Sequence, residues 1–390
     1  MQAPARRTGS GRLAGLLLAA ASVLAAALLA EAALRLSPAW IPPGVYGAGR
    51  YDAALGMHVR AGDVLYTRGE VVRKTANPDG FLDVAHAPAK PPGTLRVGFF
   101  GDSYVEANQV PNDATFVRRL AALLAARGVE TLGFGLSGWG TLQALRAYEV
   151  FARRYELDVA VYVFVENDPG DNALALSAHR HDAAMPYAEL TDEPPGYRVR
   201  EARPPSRSLL FRAAKALQAR SLLAQVAWVR WRLLRQEGMR PRARDEEREM
   251  RARAPKAKGA RPDPNDLPSS WPEAERAQAL ELTARILADW ARRADAEGRR
   301  LAVLYVPRGH DALRGVLAAE DTWLPWLEAT CRRLGLPLLD PRAALAARLA
   351  EGEAVYRDHL TRAGHEALAR YLAEALPPLL DAAAPAGAAR

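Results

Sequence analysis

Four short clusters in this 390-residue chain carry side chains able to do nucleophilic and acid–base chemistry. The run Leu95-Arg96-Val97-Gly98-Phe99-Phe100 reads as a strand entering Gly101-Asp102-Ser103, with an amphipathic helix from about Ala114 to Arg127 behind it. A hydroxyl is thereby lifted onto a tight turn at a strand's end, where outward-pointing backbone N–H groups can hold a developing negative charge. A second turn, Gly135-Leu136-Ser137-Gly138-Trp139-Gly140, has glycines that permit positive φ and close approach of backbone to a ligand. In Glu166-Asn167-Asp168-Pro169 an amide side chain can donate across the top of a sheet. Far along the chain, Tyr356-Arg357-Asp358-His359-Leu360-Thr361 offers an imidazole to take a serine's proton and a carboxylate to orient the ring.

The elements that must bring these clusters together alternate. Further strand patterns lie at Glu130–Phe134, Asp158–Val165, Leu301–Val306 and Leu336–Leu339, separated by Ala/Leu/Arg-rich helical patterns. Several of these strands are wholly apolar, which means a parallel sheet covered on both faces. Ligands of such sheets bind beyond the carboxyl ends of the strands, where the four clusters fall. Between Asp171 and about Ser270 the alternation breaks. Ser208–Arg235 reads as one helix with an apolar stripe that includes Trp228 and Trp231, and Gln236–Asp266 reads as a mobile Arg/Glu/Pro-rich connector.

Composition narrows the function classes. A 49% apolar and 25% charged chain is globular, neither collagen-like nor a multi-span membrane protein. The single cysteine, Cys331, excludes an intrachain disulfide framework and a Cys-rich metal site. His179-Arg180-His181 lacks a carboxylate or thiol at ligand spacing and reads as a solvated loop, and His365 reads as a packing or capping residue. No P-loop and no dinucleotide glycine motif follows a strand, so no cofactor and no metal is expected.

The four blocks, in this order, resemble the SGNH, or GDSL-type, hydrolase superfamily, and most of all its membrane-anchored bacterial subgroup. The matching residues are Gly101-Asp102-Ser103-Tyr104, Gly135 to Thr141, Asn167-Asp168-Pro169-Gly170-Asp171-Asn172 and His359-Leu360-Thr361-Arg362-Ala363-Gly364-His365, with Asn77-Pro78-Asp79-Gly80-Phe81 as a lead-in. The resemblance implies an α/β fold, a three-layer αβα sandwich around a flavodoxin-like, mostly parallel sheet of about five strands. It implies Ser103 as nucleophile, His359 as general base, and an oxyanion hole of the Ser103 N–H, the Gly138 N–H and the Asn167 side chain. The acid departs from the pattern: Tyr356 and Arg357 hold the family's positions, and Asp358 is the candidate, the alternative being a serine–histidine dyad oriented by a backbone carbonyl. Val165-Glu166 and Gly133 also depart from it, and the Glu166 carboxylate is expected to face away from the oxyanion. The implied activity is that of a serine esterase or O-acyltransferase acting on acyl groups of an envelope glycan or lipid. The rival is an envelope or glycan-binding protein that keeps the fold without the chemistry.

The organisation expected is a signal anchor at 1–36, a neck and lead-in at 37–92, the catalytic domain at 93–172 and 271–380, a basic insertion at 173–270 and a disordered tail at 381–390. Leu13 to Ala30 is uncharged, preceded by Arg6, Arg7 and Arg12, and reads as an uncleaved span with the body exported to the periplasm. Ala30-Glu31-Ala32 offers a cleavage site as the alternative. The net charge of +8 comes from one segment: residues 198–261 hold 19 Lys+Arg against 6 Asp+Glu, and the remainder is net acidic. That segment reads either as a cover helix with a solvated connector or as a contact for anionic lipid headgroups, and not as a nucleic-acid site.

Overall fold

A computed structural model describes residues 9–37, 40–41, 49–59, 62–68, 70–173, 185–203, 208–218, 220–238, 273–307, 323–357 and 359–383. The chain divides into two compact units. The smaller holds Met1–Ala48, Leu65–Val71 and Ser208–Ala254, and the larger holds the rest.

The strands are β1 (Gly49–Asp52), β2 (Gly56–Val59), β3 (Gly62–Arg68), β4 (Glu70–Ala76), β5 (Leu95–Gly101), β6 (Val129–Gly135), β7 (Val159–Phe164), β8 (Tyr187–Leu190), β9 (Tyr197–Arg200), β10 (Arg300–Tyr305) and β11 (Leu338–Leu339). The larger unit is built on a five-stranded sheet in the order β11-β10-β7-β5-β6, with parallel pairing at every junction. Its strands are apolar on both sides because both sides are covered. Alternate residues go to opposite layers: Val97, Phe99, Val161, Val163, Ala302 and Leu304 to one core, Phe100, Tyr162, Phe164, Val303 and Tyr305 to the other. The helices, in chain order, are α1 (Gly9–Leu36), α2 (Ser103–Glu106), α3 (Phe116–Leu123), α4 (Thr141–Arg154), α5 (Asp168–Asp171), α6 (Leu209–Gln218), α7 (Leu222–Gly238), α8 (Glu273–Ala296), α9 (Leu324–Leu334), α10 (Arg342–Ala350), α11 (Arg362–Ala375) and α12 (Pro377–Ala383). Residues of α3, α10 and α11 fill the first core, and those of α4, α8 and α9 fill the second. The result is the three-layer αβα sandwich with a parallel five-stranded sheet.

Segment 77–92 is tied into this unit. Asn77 closes a turn by accepting the Phe81 N–H at 3.0 Å, and Phe81 then inserts among Phe134, Trp139 and Phe151. Arg96, fully buried, donates to the carbonyls of Ala87, Pro88, Ala89 and Tyr155 and to Glu130, so that a planar five-donor fork stitches the lead-in to the sheet.

Two expectations differ from what is observed. The region after Asp171 carries an antiparallel hairpin, β8 with β9, whose Tyr187 and Tyr197 enter the core; the Tyr197 hydroxyl donates to Asp289 on α8 at 2.7 Å. Ser208–Arg235 is two helices, because Ser221 caps the second by accepting the Ala224 N–H at 3.0 Å. Of the expected connector Gln236–Asp266, residues 236–238 continue α7, and of the expected tail 381–390, residues 381–383 end α12; the rest of both lies outside the described residues.

Strand ends β5 and β6 pair in register through Gly101 and Gly135. At Gly135 a Cβ would sit 2.5 Å from Val105 Cβ and 2.6 Å from the Glu106 nitrogen, so α2 rests directly on this glycine. Gly135→Ala should therefore cost ~1–3 kcal/mol through overpacking, read as a lower urea midpoint with unchanged slope. An unaltered midpoint would show that the helix does not need that approach.

Candidate active site

Ser103 stands two residues past the end of β5, as the first residue of the one-turn helix α2. Asp102 caps that turn by accepting the Tyr104 N–H at 2.9 Å, and Ala107 ends it in the left-handed region at φ 48°. His359 comes from the loop before α11. Tyr356 fixes this loop by donating to the Pro307 carbonyl at 3.0 Å and bridging to Leu360, while Gln109 donates to the Leu360 carbonyl at 2.9 Å. Thr361 caps α11. These supports bring His359 Nε2 to 2.6 Å from Ser103 Oγ, with the Tyr104 ring 4.9 Å from the imidazole.

The other candidates surround the pair because β6 and β7 flank β5 in the sheet. Gly138, at φ 82°, sits in the turn after β6. Its neighbour Ser137 donates both its backbone N–H, at 3.0 Å, and its hydroxyl to the Glu106 carboxylate on α2. One carboxylate thus ties the glycine turn to the helix that carries Ser103. Lys74 on β4, buried, donates to the carbonyls of Glu106 and Ala107 at 3.1 and 2.7 Å and holds the far end of the same helix. Burial lowers the Lys74 amine to about 7, against the raising influence of Glu106 and Asp83. Sequence reasoning missed Lys74, Glu106 and Ser137. A carboxylate three residues after a candidate serine, on the first turn of a helix, was the available signal for Glu106; Lys74 gave none.

Asn167 follows β7 and its side-chain amide donates to two carboxylates, Asp102 at 3.3 Å and Asp171 at 3.0 Å. Asp168 turns inward and accepts from the Tyr162 hydroxyl at 2.5 Å and the Val165 N–H at 3.1 Å. Asn172 accepts the Leu142 N–H at 2.9 Å and donates to Thr141 and Thr283, joining α4 to α8. The Asn-Asp-x-x-Asp-Asn spacing is therefore a brace as much as a site. Glu166 is buried beside it.

Burial raises Asp102 to about 6 and Asp168 well above the carboxylate range; the Tyr104 N–H and the facing His359 pull Asp102 back, and Asp102 adds to the rise at Asp168. His365 is fully buried and accepts the Phe116 N–H at 3.1 Å, capping α3; burial lowers it to about 3. Asp358, the candidate acid, lies outside the described residues, as do His179 and His181. Among the described residues no cluster of three His, Cys, Asp or Glu side chains could hold a metal ion.

No family model matches the chain, and no curated protein matches it. Among solved structures it is similar to an acetylxylan esterase from Geobacillus stearothermophilus, crystallised as a catalytic mutant, with 13% identity over 74% of this chain and 97% of that one at a TM-score of 0.39. A second is the acetyl xylan esterase AlAXEase, with 12% identity over 72% and 100% at 0.38. A third is a protein described as lipolytic and of the G-D-S-L family, from Desulfitobacterium hafniense DCB-2, with 7% identity over 72% and 99% at 0.36.

The Asp102 shift sets a pH dependence. Its folded value of about 6 lies above the ordinary 3.8, so its contribution to stability is complete below about 4 and is lost as pH rises through 6. His365 acts oppositely: folded at about 3 against 6.5, it contributes above 6.5 and fails on acidification. The difference in unfolding free energy between wild type and Asp102→Asn should therefore change by on the order of 2–3 kcal/mol between pH 4 and 7, with wild type losing ground as pH rises. Parallel curves would show that Asp102 stays ionised throughout.

Proposed function

We propose that this chain is a serine esterase acting on neutral acyl esters. The observation that carries this is the 2.6 Å contact between the Ser103 hydroxyl and the His359 imidazole at the carboxyl end of a parallel sheet. That distance lies within hydrogen-bond reach for proton transfer. Ser103 Oγ attacks the ester carbonyl while His359 Nε2 takes the hydroxyl proton, and the tetrahedral oxyanion is held by the Ser103 and Gly138 N–H groups. His359 then protonates the leaving alcohol, and water or a sugar hydroxyl releases the acyl group from Ser103. Asn167 serves as third donor by turning one amide N–H from a carboxylate toward the oxyanion. Asp358 is the proposed acid of the triad, with a serine–histidine dyad as the alternative.

The setting is a membrane. Leu13–Leu36 forms a 24-residue exposed apolar helix of mean hydropathy 2.4, long and apolar enough to cross a bilayer or to act as an export signal. In the proposed reading it is an anchor, the catalytic unit faces the periplasm, and the substrates are acyl esters of an envelope glycan or lipid, with transfer to a sugar hydroxyl as an outcome alongside hydrolysis. A second reading, a fold retained for binding without turnover, is favoured by one observation: both Asn167 amide hydrogens already point at carboxylates.

Turnover of p-nitrophenyl acetate and labelling by an active-site fluorophosphonate separate the two. Ser103→Ala and His359→Ala should each lower turnover by ~10³-fold or more and abolish labelling. Asn167→Ala should lower kcat by ~10²–10³-fold with little change in KM. Wild-type protein that neither turns over nor becomes labelled at Ser103 is a binding protein.

A further inference from the structure

The smaller unit holds a device that the esterase reading does not use. Glu31 lies on α1 at the end of the uncharged stretch Leu13 to Ala30. Its carboxylate accepts the backbone N–H groups of Leu222 and Leu223 at 3.0 and 2.8 Å and the Ser221 hydroxyl at 2.9 Å, and it pairs with Arg35. Arg35 in turn donates to the Arg220 carbonyl at 3.0 Å. The first turn of α7 is thus clamped to the last turns of α1, and Leu34, Ile41, Leu222, Leu223, Val226 and Val229 close the joint. A carboxylate at the edge of hydrocarbon is costly unless its oxygens are satisfied, and here α7 supplies the donors.

This joint fixes a depth. Eighteen helical residues span about 27 Å, close to the ~30 Å hydrocarbon core. If Leu13 to Ala30 crosses, Glu31, Arg35 and the α6–α7 junction lie at headgroup level. α6, which runs into that junction, presents Leu209, Leu210 and Leu217 on one exposed helical face, 79%, 83% and 60% accessible, with Arg212 off that face. On α7, Trp228 and Trp231 are half-exposed and pack together at 4.9 Å. Residues 208–238 carry six Lys/Arg and a single Glu. An amphipathic helix with leucines on one face, tryptophans nearby and a basic surround, set at the boundary of a span, has the composition of an interfacial element.

We propose that α6 and the Trp228–Trp231 pair dock onto the surface of the anionic bilayer that α1 crosses, with Leu209, Leu210 and Leu217 sunk to the acyl boundary. The proposal rests on the anchor reading above and is independent of the ester chemistry.

Spin labels test it in the full-length chain, reconstituted into nanodiscs of phosphatidylcholine and phosphatidylglycerol in a three-to-one ratio. The native Cys331 is buried, and burial pushes its thiol up to about 12, so labelling favours an introduced cysteine. Leu210→Cys and Leu217→Cys replace exposed side chains, with Arg212→Cys as the off-face reference. Collision with oxygen, relative to a water-soluble nickel chelate, should be several-fold higher at 210 and 217 than at 212. Labels at 210 and 217 as open to the chelate as that at 212 overturn docking while leaving the anchor intact. Labels immobilised and shielded from both reagents mean that protein covers α6 and also overturn it. Failure of the chain to enter the discs removes the anchor and the docking together.

Discussion

A hydrogen bond between two side chains 256 residues apart in sequence places the severest demand on this chain. Neither partner is fixed by its own element alone. Ser103 is set by α2, a single turn that could not persist in isolation and is clamped at both ends, by Asp102 at its start and Lys74 at its finish. His359 is set by a loop whose neighbours Tyr356 and Leu360 are tied to Pro307 and Gln109, while Thr361 closes the loop on the Val355 carbonyl. On the proposed esterase reading, a pair displaced by an ångström would lose most of its advantage, so these supports would matter as much as the pair does.

The supports are polar and buried, which is costly in the abstract. Arg96, Lys74, Asp83, Glu106, Asp168, Asn172 and His365 all lie inside the larger unit. Each has directed partners there, many of them backbone groups of irregular segments. Asp83 takes the Gly133 N–H at 2.8 Å and Arg118 at 2.8 Å; Arg96 serves four carbonyls. Loops that pass through a core must have their amides and carbonyls satisfied, and side chains do this where no strand can. The polar interior follows from pressing a non-repetitive lead-in against the sheet.

The sheet was legible because its signal is local. Four of the strands are hydrophobic runs bounded by turn residues, and the observed limits, such as Val129–Gly135 against the expected Glu130–Phe134, shift by a residue. The place of Ser103, Gly138 and Asn167 at strand ends followed from that alternation. The hairpin of β8 and β9 was hidden because its strands are four residues long and it is held by Tyr187 and Tyr197 on partners far along the chain. The break between α6 and α7 was hidden for a related reason: a serine in a helical pattern is unremarkable until Glu31, 190 residues earlier, takes the amides of the following turn. Lys74 reads as a solvated lysine in a polar strand, and only the tertiary fold puts two helix-end carbonyls in front of it.

Charge at the candidate site bears on the proposed esterase reading. Asp102, Glu106, Glu166, Asp168 and Asp171 lie within a few residues of the strand ends that carry the candidate donors, and Lys74, the nearby buried cation, spends its hydrogens on carbonyls. So many carboxylates, all ionised, would oppose the negative charge that forms on a tetrahedral intermediate. Burial answers this in part: it raises Asp168 well above the carboxylate range, against the lowering hydrogen bond from Tyr162, and raises Asp102 to about 6. On the proposed esterase reading, a neutral acyl ester would add no charge of its own to this cluster before the transition state. The same clustering explains why Asn167 rests between two carboxylates: its amide donates to both Asp102 and Asp171 and relieves their repulsion.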